Sequence, residues 1–127
     1  MFTHITVGAN DVEASRRFYD AALGALGIEP AQGPDPKGRY WWRTARGAFA
    51  GGKAVDGGPA SPRHRRTIGF AAKTPEMVHA FHDAGAAAGG RSIEDPPGER
   101  NGPFGKLYLA YLRDPDGTKV WALHRPG

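Results

Sequence analysis

His4 is the side chain of this sequence best placed for acid–base chemistry. It opens the segment His4-Ile5-Thr6-Val7, in which polar and apolar residues alternate as they do in a strand with one face against a core. Histidine titrates near neutral pH, so an imidazole on the open face of such a strand could act as a general base. A histidine that only bonds a neighbouring backbone group fits the same pattern. Both interpretations stay open.

Two further pairs of ionisable residues have suggestive spacings but fit simpler roles. Asp114 and Asp116 lie in the segment RDPDGT, where aspartate, proline and glycine occupy the positions that a tight turn requires. The flanking apolar runs, YLAYL and KVWALH, therefore predict a β-hairpin. His79 and His82 are three residues apart on a predicted helix, and the exposure preference of histidine favours a solvated pair.

Aromatic residues form the other group of candidates. Tyr40, Trp41 and Trp42 are consecutive in a predicted strand, so rings are expected on both of its faces. Tyr108 and Trp121 belong to the two strands of the predicted hairpin. Such rings either fill a core or dimer interface or line a ligand cavity, because aromatics serve both uses.

The elements that must position these residues come from an internal repeat. Residues 5–27 and 68–90 share a pattern in which a short strand is followed by a helix with one apolar stripe. Asn10 or Asp11 can cap the first helix, while Thr74 with Pro75 at the first helical position starts the second. Each helix can cover only one side of its strand. The side left open is predicted to carry His4, Thr6, Thr67 and Gly69.

Composition excludes several classes of function. The 127 residues are one domain's worth of chain, and the absence of cysteine rules out disulfides and thiolate chemistry. The net charge of +4 and the run Arg63-His64-Arg65-Arg66 come without a nucleic-acid-binding motif, so no nucleic acid partner is expected. The beginning of the sequence shows neither a signal peptide nor a membrane span, and we expect a cytoplasmic protein without membrane partners.

Three stretches of the sequence form a recognisable set: THITVGANDVEASRRFYDAALGALG, TIGFAAKTPEMVHAFHDAGAAAGG and YLAYLRDPDGTKVWAL. Together they resemble the vicinal oxygen chelate superfamily, which includes glyoxalase I, bleomycin resistance proteins and extradiol dioxygenases. The resemblance implies an α+β fold in which two βαβββ modules form a curled mixed sheet around a cleft. A single glyoxalase-like domain would then span residues 1–127, with modules 1–58 and 67–127 joined by a linker at 59–66. Members commonly form dimers, so we expect a homodimer.

The resemblance also implies where a metal would bind. Metal-dependent members hold a divalent ion with His and Glu side chains from both modules; His4 matches the first position, but Thr67 and Trp121 replace a histidine and a glutamate. One histidine cannot hold a divalent ion against water. No cofactor is therefore predicted, and a divalent metal would need substitutes. The candidates are His64, Glu94, Glu99 and His124, of which His124 is expected on the opposite strand face from Trp121.

These observations predict a glyoxalase/bleomycin resistance/dioxygenase-like protein whose cleft binds a small organic ligand. Loops 30–39 and 94–106 would shape the cleft. One alternative is a metal-dependent lyase, isomerase or dioxygenase with an atypical ligand set that includes His4, and another is a metal-free enzyme with His4 as its base. The predicted cleft residues are His4, Thr6, Tyr40, Trp42, Thr67, Tyr108 and Trp121.

Overall fold

The first half of the chain builds a three-stranded sheet with one helix on it. In the computed structural model, which describes residues 2–53, 67–93, 96–103 and 105–126, its elements are β1 (His4–Gly8), α1 (Val12–Gly24), β2 (Tyr40–Thr44) and β3 (Gly47–Gly52). The strand order is β1-β3-β2, with β1 parallel and β2 antiparallel to β3. The Asp11 carboxylate accepts a hydrogen bond from the Ala14 amide (3.1 Å), and this cap starts α1.

The second half repeats the strand–helix start and adds a larger sheet. It contains β4 (Thr67–Ala71), α2 (Pro75–Ala87), β5 (Arg91–Ser92), β6 (Gly98–Gly102), β7 (Gly105–Arg113) and β8 (Lys119–His124). The strand order is β4-β8-β7-β5, with β6 also paired to β7. Only the β4–β8 pair is parallel. Both sheets thus mix parallel and antiparallel strands, and the α+β prediction is confirmed.

Two predictions concern the segments that connect the strands and helices of the second half and the two halves themselves. The segment predicted as loop 94–106 contains β6 and the start of β7, which pair with each other. Backbone pairing at a sheet edge overrides local composition there. The predicted linker at 59–66 lies outside the described residues, so the module boundaries stay a prediction. Among the described residues, no helix has the length and apolar character needed to cross a membrane.

One core joins the two halves. Phe18 on α1 and Phe81 on α2 are fully buried, and the rings of Phe49 on β3 and Phe70 on β4 meet with centroids 5.3 Å apart. A Cβ on Gly85 would lie 2.5 Å from Leu112 Cδ1 and 3.1 Å from Phe18 Cε1, so the absence of a side chain lets α2 pack closely. The helix-facing sides of both sheets therefore share this core, and the opposite side of each sheet is turned away from it.

The turn between β7 and β8 connects the two halves by hydrogen bonds. Asp114 is buried; its Oδ1 accepts bonds from the Asp116 and Thr118 amides (2.9 Å each), and its Oδ2 accepts one from the Tyr19 hydroxyl of α1 (2.6 Å). The Asn10 amide donates to Asp116 Oδ1 (2.8 Å). Both aspartates therefore form the turn and hold it against the first half.

Candidate functional site

The candidate site is the side of each sheet that the helices leave open. Residues alternate between the two sides along a strand, and directly paired residues share a side, so the strand register identifies its members. On the first sheet this side, here called the first open face, carries His4, Thr6, Ala48, Ala50, Trp41 and Arg43. On the second sheet the second open face carries Thr67, Gly69, Lys119, Trp121, Tyr111 and Arg113.

Trp41 is the centre of the first open face. The guanidinium groups of Arg39 and Arg43 lie 5.1 and 4.9 Å from the centroid of its ring, and the His4 ring lies 5.7 Å away. The indole nitrogen donates to Asp35 Oδ2 (2.9 Å). This bond and those from Arg39 hold the pKa of Asp35 well below its usual range. Asp35 thereby fixes the orientation of the Trp41 indole, which lies between the guanidinium groups of Arg39 and Arg43.

His4 and Thr6 are both exposed on the first open face, as the alternation of β1 predicts. The His4 Nδ1 atom lies 3.0 Å from the Thr3 hydroxyl. Its ring is thus oriented by Thr3 on one side and packs near Trp41 on the other. An imidazole in this position is accessible to a molecule that contacts Trp41.

The second open face is dominated by two stacked rings. Trp121 on β8 and Tyr111 on β7 are direct cross-strand partners, and their rings lie 7° from parallel with centroids 5.2 Å apart. The Lys119 ammonium lies 4.3 Å from the centroid of the Tyr111 ring. Gly69 is paired with Trp121, and a Cβ there would collide with the indole nitrogen. We call Tyr111, Trp121 and Lys119 the aromatic shelf; the exposed Thr67 is paired with Lys119 at its end.

Tyr40 and Trp42 do not lie on an open face. Both face α1: the Trp42 ring is 2% exposed and its Nε1 donates to Asp20 (2.9 Å), while the Tyr40 hydroxyl donates to Glu13 (2.9 Å). Strand alternation puts one member of the aromatic triplet on the open side, and that member is Trp41. This corrects the placement of Tyr40 and Trp42 in the predicted cleft.

Tyr108 is the third predicted residue that the structure places elsewhere. It lies on the helix-facing side of β7, where its hydroxyl is 2.6 Å from Nε2 of His79 on α2. Tyr111, three residues later, has the opposite orientation and joins the site instead. The hairpin register groups Tyr111 with Trp121 already from the sequence, because a turn that pairs Arg113 with Lys119 also pairs Tyr111 with Trp121. Which side of the hairpin stays open depends on where α2 packs.

The three positions where the resemblance implies metal ligands do not form a donor set. His4 lies on the first open face, while Thr67 and Trp121 lie together on the second, and an indole cannot ligate a metal. Of the possible substitutes, Glu99 pairs with Tyr108 on the helix-facing side of its sheet, and His124 also faces that side with Nδ1 3.1 Å from the Ala72 carbonyl. His64 and Glu94 lie outside the described residues. Within the described part of the chain, no three His, Asp or Glu side chains form a group that could hold a metal ion.

Comparisons with known proteins agree on one family. The sequence pattern of the glyoxalase/bleomycin resistance protein/dioxygenase superfamily matches residues 1–122. The structure is similar to that of a glyoxalase/bleomycin resistance protein from Albidiferax ferrireducens T118, with a TM-score of 0.94, 53% identity, and coverage of 98% of this chain and 99% of that one. No curated protein matches the sequence.

Two more distant structures share the fold. A glyoxalase-related enzyme from Fulvimarina pelagi is 22% identical with a TM-score of 0.74, covering 99% of this chain and 88% of its own. A glyoxalase/bleomycin resistance protein/dioxygenase family enzyme from Burkholderia phytofirmans PsJN is 16% identical with a TM-score of 0.70, covering 96% of each chain.

Proposed function

Because the chain belongs to the glyoxalase/bleomycin resistance protein/dioxygenase superfamily, we propose that it binds a small organic ligand on its open sheet faces without the metal-ligand set implied for the metal-dependent members. The observation that carries this proposal is the stack of Tyr111 on Trp121. The stack occupies the position where the resemblance implies a metal-binding carboxylate. The two rings offer a flat apolar surface where a carboxylate would have bound the metal.

The physical basis of the proposal is the combination of rings and polar groups on each face. Two partly exposed rings of the aromatic shelf can gain dispersion and hydrophobic energy from a flat ligand. The exposed Thr67 hydroxyl beside them can give a directional hydrogen bond. On the first open face, Trp41 and His4 supply the same pairing of a ring with a polar group. This combination is typical of small-molecule sites.

The family's metal chemistry does not fit the residues at the aligned positions. A divalent ion needs several oxygen, nitrogen or sulfur donors that converge on one point, and the indole of Trp121 supplies none. We therefore assign no metal-assisted step. A proton transfer on the first open face would use the His4 imidazole, whose Nδ1 is already oriented by Thr3.

The ligand-binding proposal predicts a specific effect of Trp121→Ala. Planar aromatic compounds are screened for an increase in melting temperature, since a ligand that binds only the folded state stabilises it by about 2.7 kcal/mol at a hundredfold excess over Kd. We expect the variant to stay folded and to lose the response. Tyr108→Phe is the matched control, because Tyr108 is an aromatic residue of the same hairpin on the other side. A response that survives in Trp121→Ala and disappears in Tyr108→Phe would place the ligand away from the open face.

We also propose that the protein is a homodimer. Both open faces are turned away from the common core, so enclosing a ligand between two such faces requires a second copy. The strands β1 and β4 lie at the ends of their described sheets, where backbone groups can pair with another chain. Light scattering during gel filtration is expected to give twice the chain mass of 13.6 kDa. A single-chain mass that persists at the highest accessible concentration would contradict the dimer.

A further inference from the structure

His82 on α2 connects a serine hydroxyl to a carboxylate. Its Nε2 atom lies 2.7 Å from Oγ of Ser92 on β5, and its Nδ1 atom lies 3.2 Å from Oδ1 of Asp83, the next residue of the helix. The His82 side chain is 17% exposed, so its ring is held at both nitrogens and is not the solvated histidine that the sequence predicts. A hydroxyl, an imidazole and a carboxylate in this order match a serine nucleophile, its general base and the group that orients the base.

The chain reversal after α2 brings β5 back to the helix. Gly89 has a φ of +103°, a conformation that residues with a side chain rarely adopt. The Gly90 amide then donates to the Gly85 carbonyl (2.9 Å), which closes the end of the helix. β5 therefore starts against α2, and Ser92 reaches His82 although ten positions separate them in the chain.

Strand pairing directs the Ser92 side chain towards the helix. Ser92 pairs with Leu112 on β7, and directly paired residues share one side of a sheet. Leu112 is fully buried and packs against α2 at Gly85. Ser92 is itself exposed, since β5 has two residues and lies at the end of the strand order. The serine thus contacts a base, is open to solvent, and lies on the opposite side of the sheet from the second open face.

Each of the three side chains has the partner that its role requires. When the Nδ1 proton of His82 is donated to Asp83, the Nε2 lone pair is free to accept the Ser92 proton. A separation of 2.7 Å between nucleophile and base is within the range for this proton transfer. Asp83 acts through His82 as a positioning residue, and at 80% exposure its charge is screened by solvent. His82 therefore supplies most of the activation.

We propose that Ser92 and His82, oriented by Asp83, form a second site that hydrolyses activated carboxylic esters. Ser92 Oγ attacks the ester carbonyl carbon while its proton passes to His82 Nε2. The bond from that carbon to the leaving oxygen breaks, and His82 gives the proton to this oxygen. Water then attacks the acyl-serine, again with His82 as base, which releases the carboxylic acid and restores Ser92. An easily displaced leaving group suits a serine whose base is oriented by a solvent-screened carboxylate.

Reaction of the full chain with p-nitrophenyl acetate tests the proposal. We expect a burst of nitrophenolate followed by slower turnover, and peptide mass spectrometry is expected to find the acetyl group on Ser92. Ser92→Ala should remove the burst, and His82→Gln should slow the acetylation of Ser92 by about 100-fold, as expected for the loss of a general base. His79→Gln is the matched control, because His79 lies on the same helix and also contacts a hydroxyl, that of Tyr108. It should leave the rate of Ser92 acetylation unchanged.

The role of Asp83 needs a readout that a purely structural role would leave unchanged. Asp83→Asn is expected to slow the acetylation of Ser92 several-fold, because the imidazole loses the carboxylate that orients it and balances its charge. Asp83→Glu should restore part of the rate by returning a carboxylate. The melting temperatures of both variants are expected to match that of the wild type, since Asp83 is exposed.

Three results would overturn the proposal. The first is a wild-type protein that is acetylated elsewhere but not on Ser92, a result that depends on no variant and on no variant's folding. The second is equal acetylation of Ser92 in the wild type and in His82→Gln, because the serine would then react without its base. The third is a full burst in Ser92→Ala, which would assign the reaction to another nucleophile. None of these results bears on ligand binding at the open faces, since this site lies on the other side of the sheet.

Discussion

Replacing Asp114 with alanine is expected to lower the free energy of unfolding by about 3–5 kcal/mol. The variant loses the acceptor of two amide bonds within the turn and of the bond from the Tyr19 hydroxyl, which is left buried without this partner. The same bond connects the turn to α1, so the loss affects the contact between the two halves. Urea unfolding followed by circular dichroism measures the change.

Tyr19→Phe is the milder version of this experiment and adds a pH dependence. Burial raises the pKa of Asp114, while the bond from Tyr19 opposes that shift. Without the Tyr19 hydroxyl the pKa of Asp114 is expected to rise further, because the charged carboxylate stays buried but loses a hydrogen-bond donor. We expect a loss of about 2 kcal/mol at neutral pH.

The sign of the pH effect follows from the raised pKa. A carboxyl whose pKa is raised by folding favours the folded state when protonated, and this contribution is lost as the pH rises through the folded pKa. The defect of Tyr19→Phe should therefore be largest at neutral pH and shrink as the pH falls through the pKa of Asp114. Unfolding curves of the variant and the wild type at several acidic and neutral pH values test this.

Tyr40→Phe is the matched control for Tyr19→Phe. It also deletes a hydroxyl that donates to a carboxylate, but the partner, Glu13, is exposed, so the expected loss is clearly smaller than that of Tyr19→Phe. Equal losses in the two variants, or a Tyr19→Phe defect that grows as the pH falls, would contradict the role of Asp114 in joining the halves.

Trp42→Ala is the second substitution with a large expected effect, a loss of about 3–5 kcal/mol. The ring is 2% exposed, its centroid lies 5.7 Å from those of Tyr19 and Phe49, and its Nε1 bonds Asp20. Alanine would leave a cavity between β2 and α1 and remove the donor for Asp20. Urea unfolding of this variant measures the loss.

The adjacent Trp41 provides the control for Trp42. Its ring lies on the first open face among Arg39, Arg43 and His4, so Trp41→Ala is expected to cost about 1 kcal/mol or less. Trp41 and Trp42 are the same residue type at adjacent positions. A difference in stability between the two variants therefore reports which side of β2 each ring faces. A larger loss in Trp41→Ala than in Trp42→Ala would mean that β2 presents the opposite face to α1.

Local patterns in the sequence determined much of the fold. The alternation in β1 and β4, the caps at Asp11 and Thr74, and the turn that contains Asp114 each depend on residues within a few positions of one another. Such signals can be recognised without the tertiary structure. They also placed His4, Thr6, Thr67 and Gly69 on the sides of the sheets that face away from the core.

Tertiary structure decided which aromatic residues complete the candidate site. Alternation along β2 predicts that the Trp41 side chain lies on the opposite side of the strand from Tyr40 and Trp42. The packing of α1 on β2 determines which of the two sides is buried. The choice of Tyr111 over Tyr108 likewise depends on α2, and the bond from Tyr19 to Asp114 joins residues from opposite halves. These contacts link residues far apart in the chain, and local propensity carries no information about them. Most strand and helix positions, and the open sides of β1 and β4, thus follow from the sequence, whereas the packing of α1 on β2 and of α2 on β7 decides which aromatic rings reach the open faces.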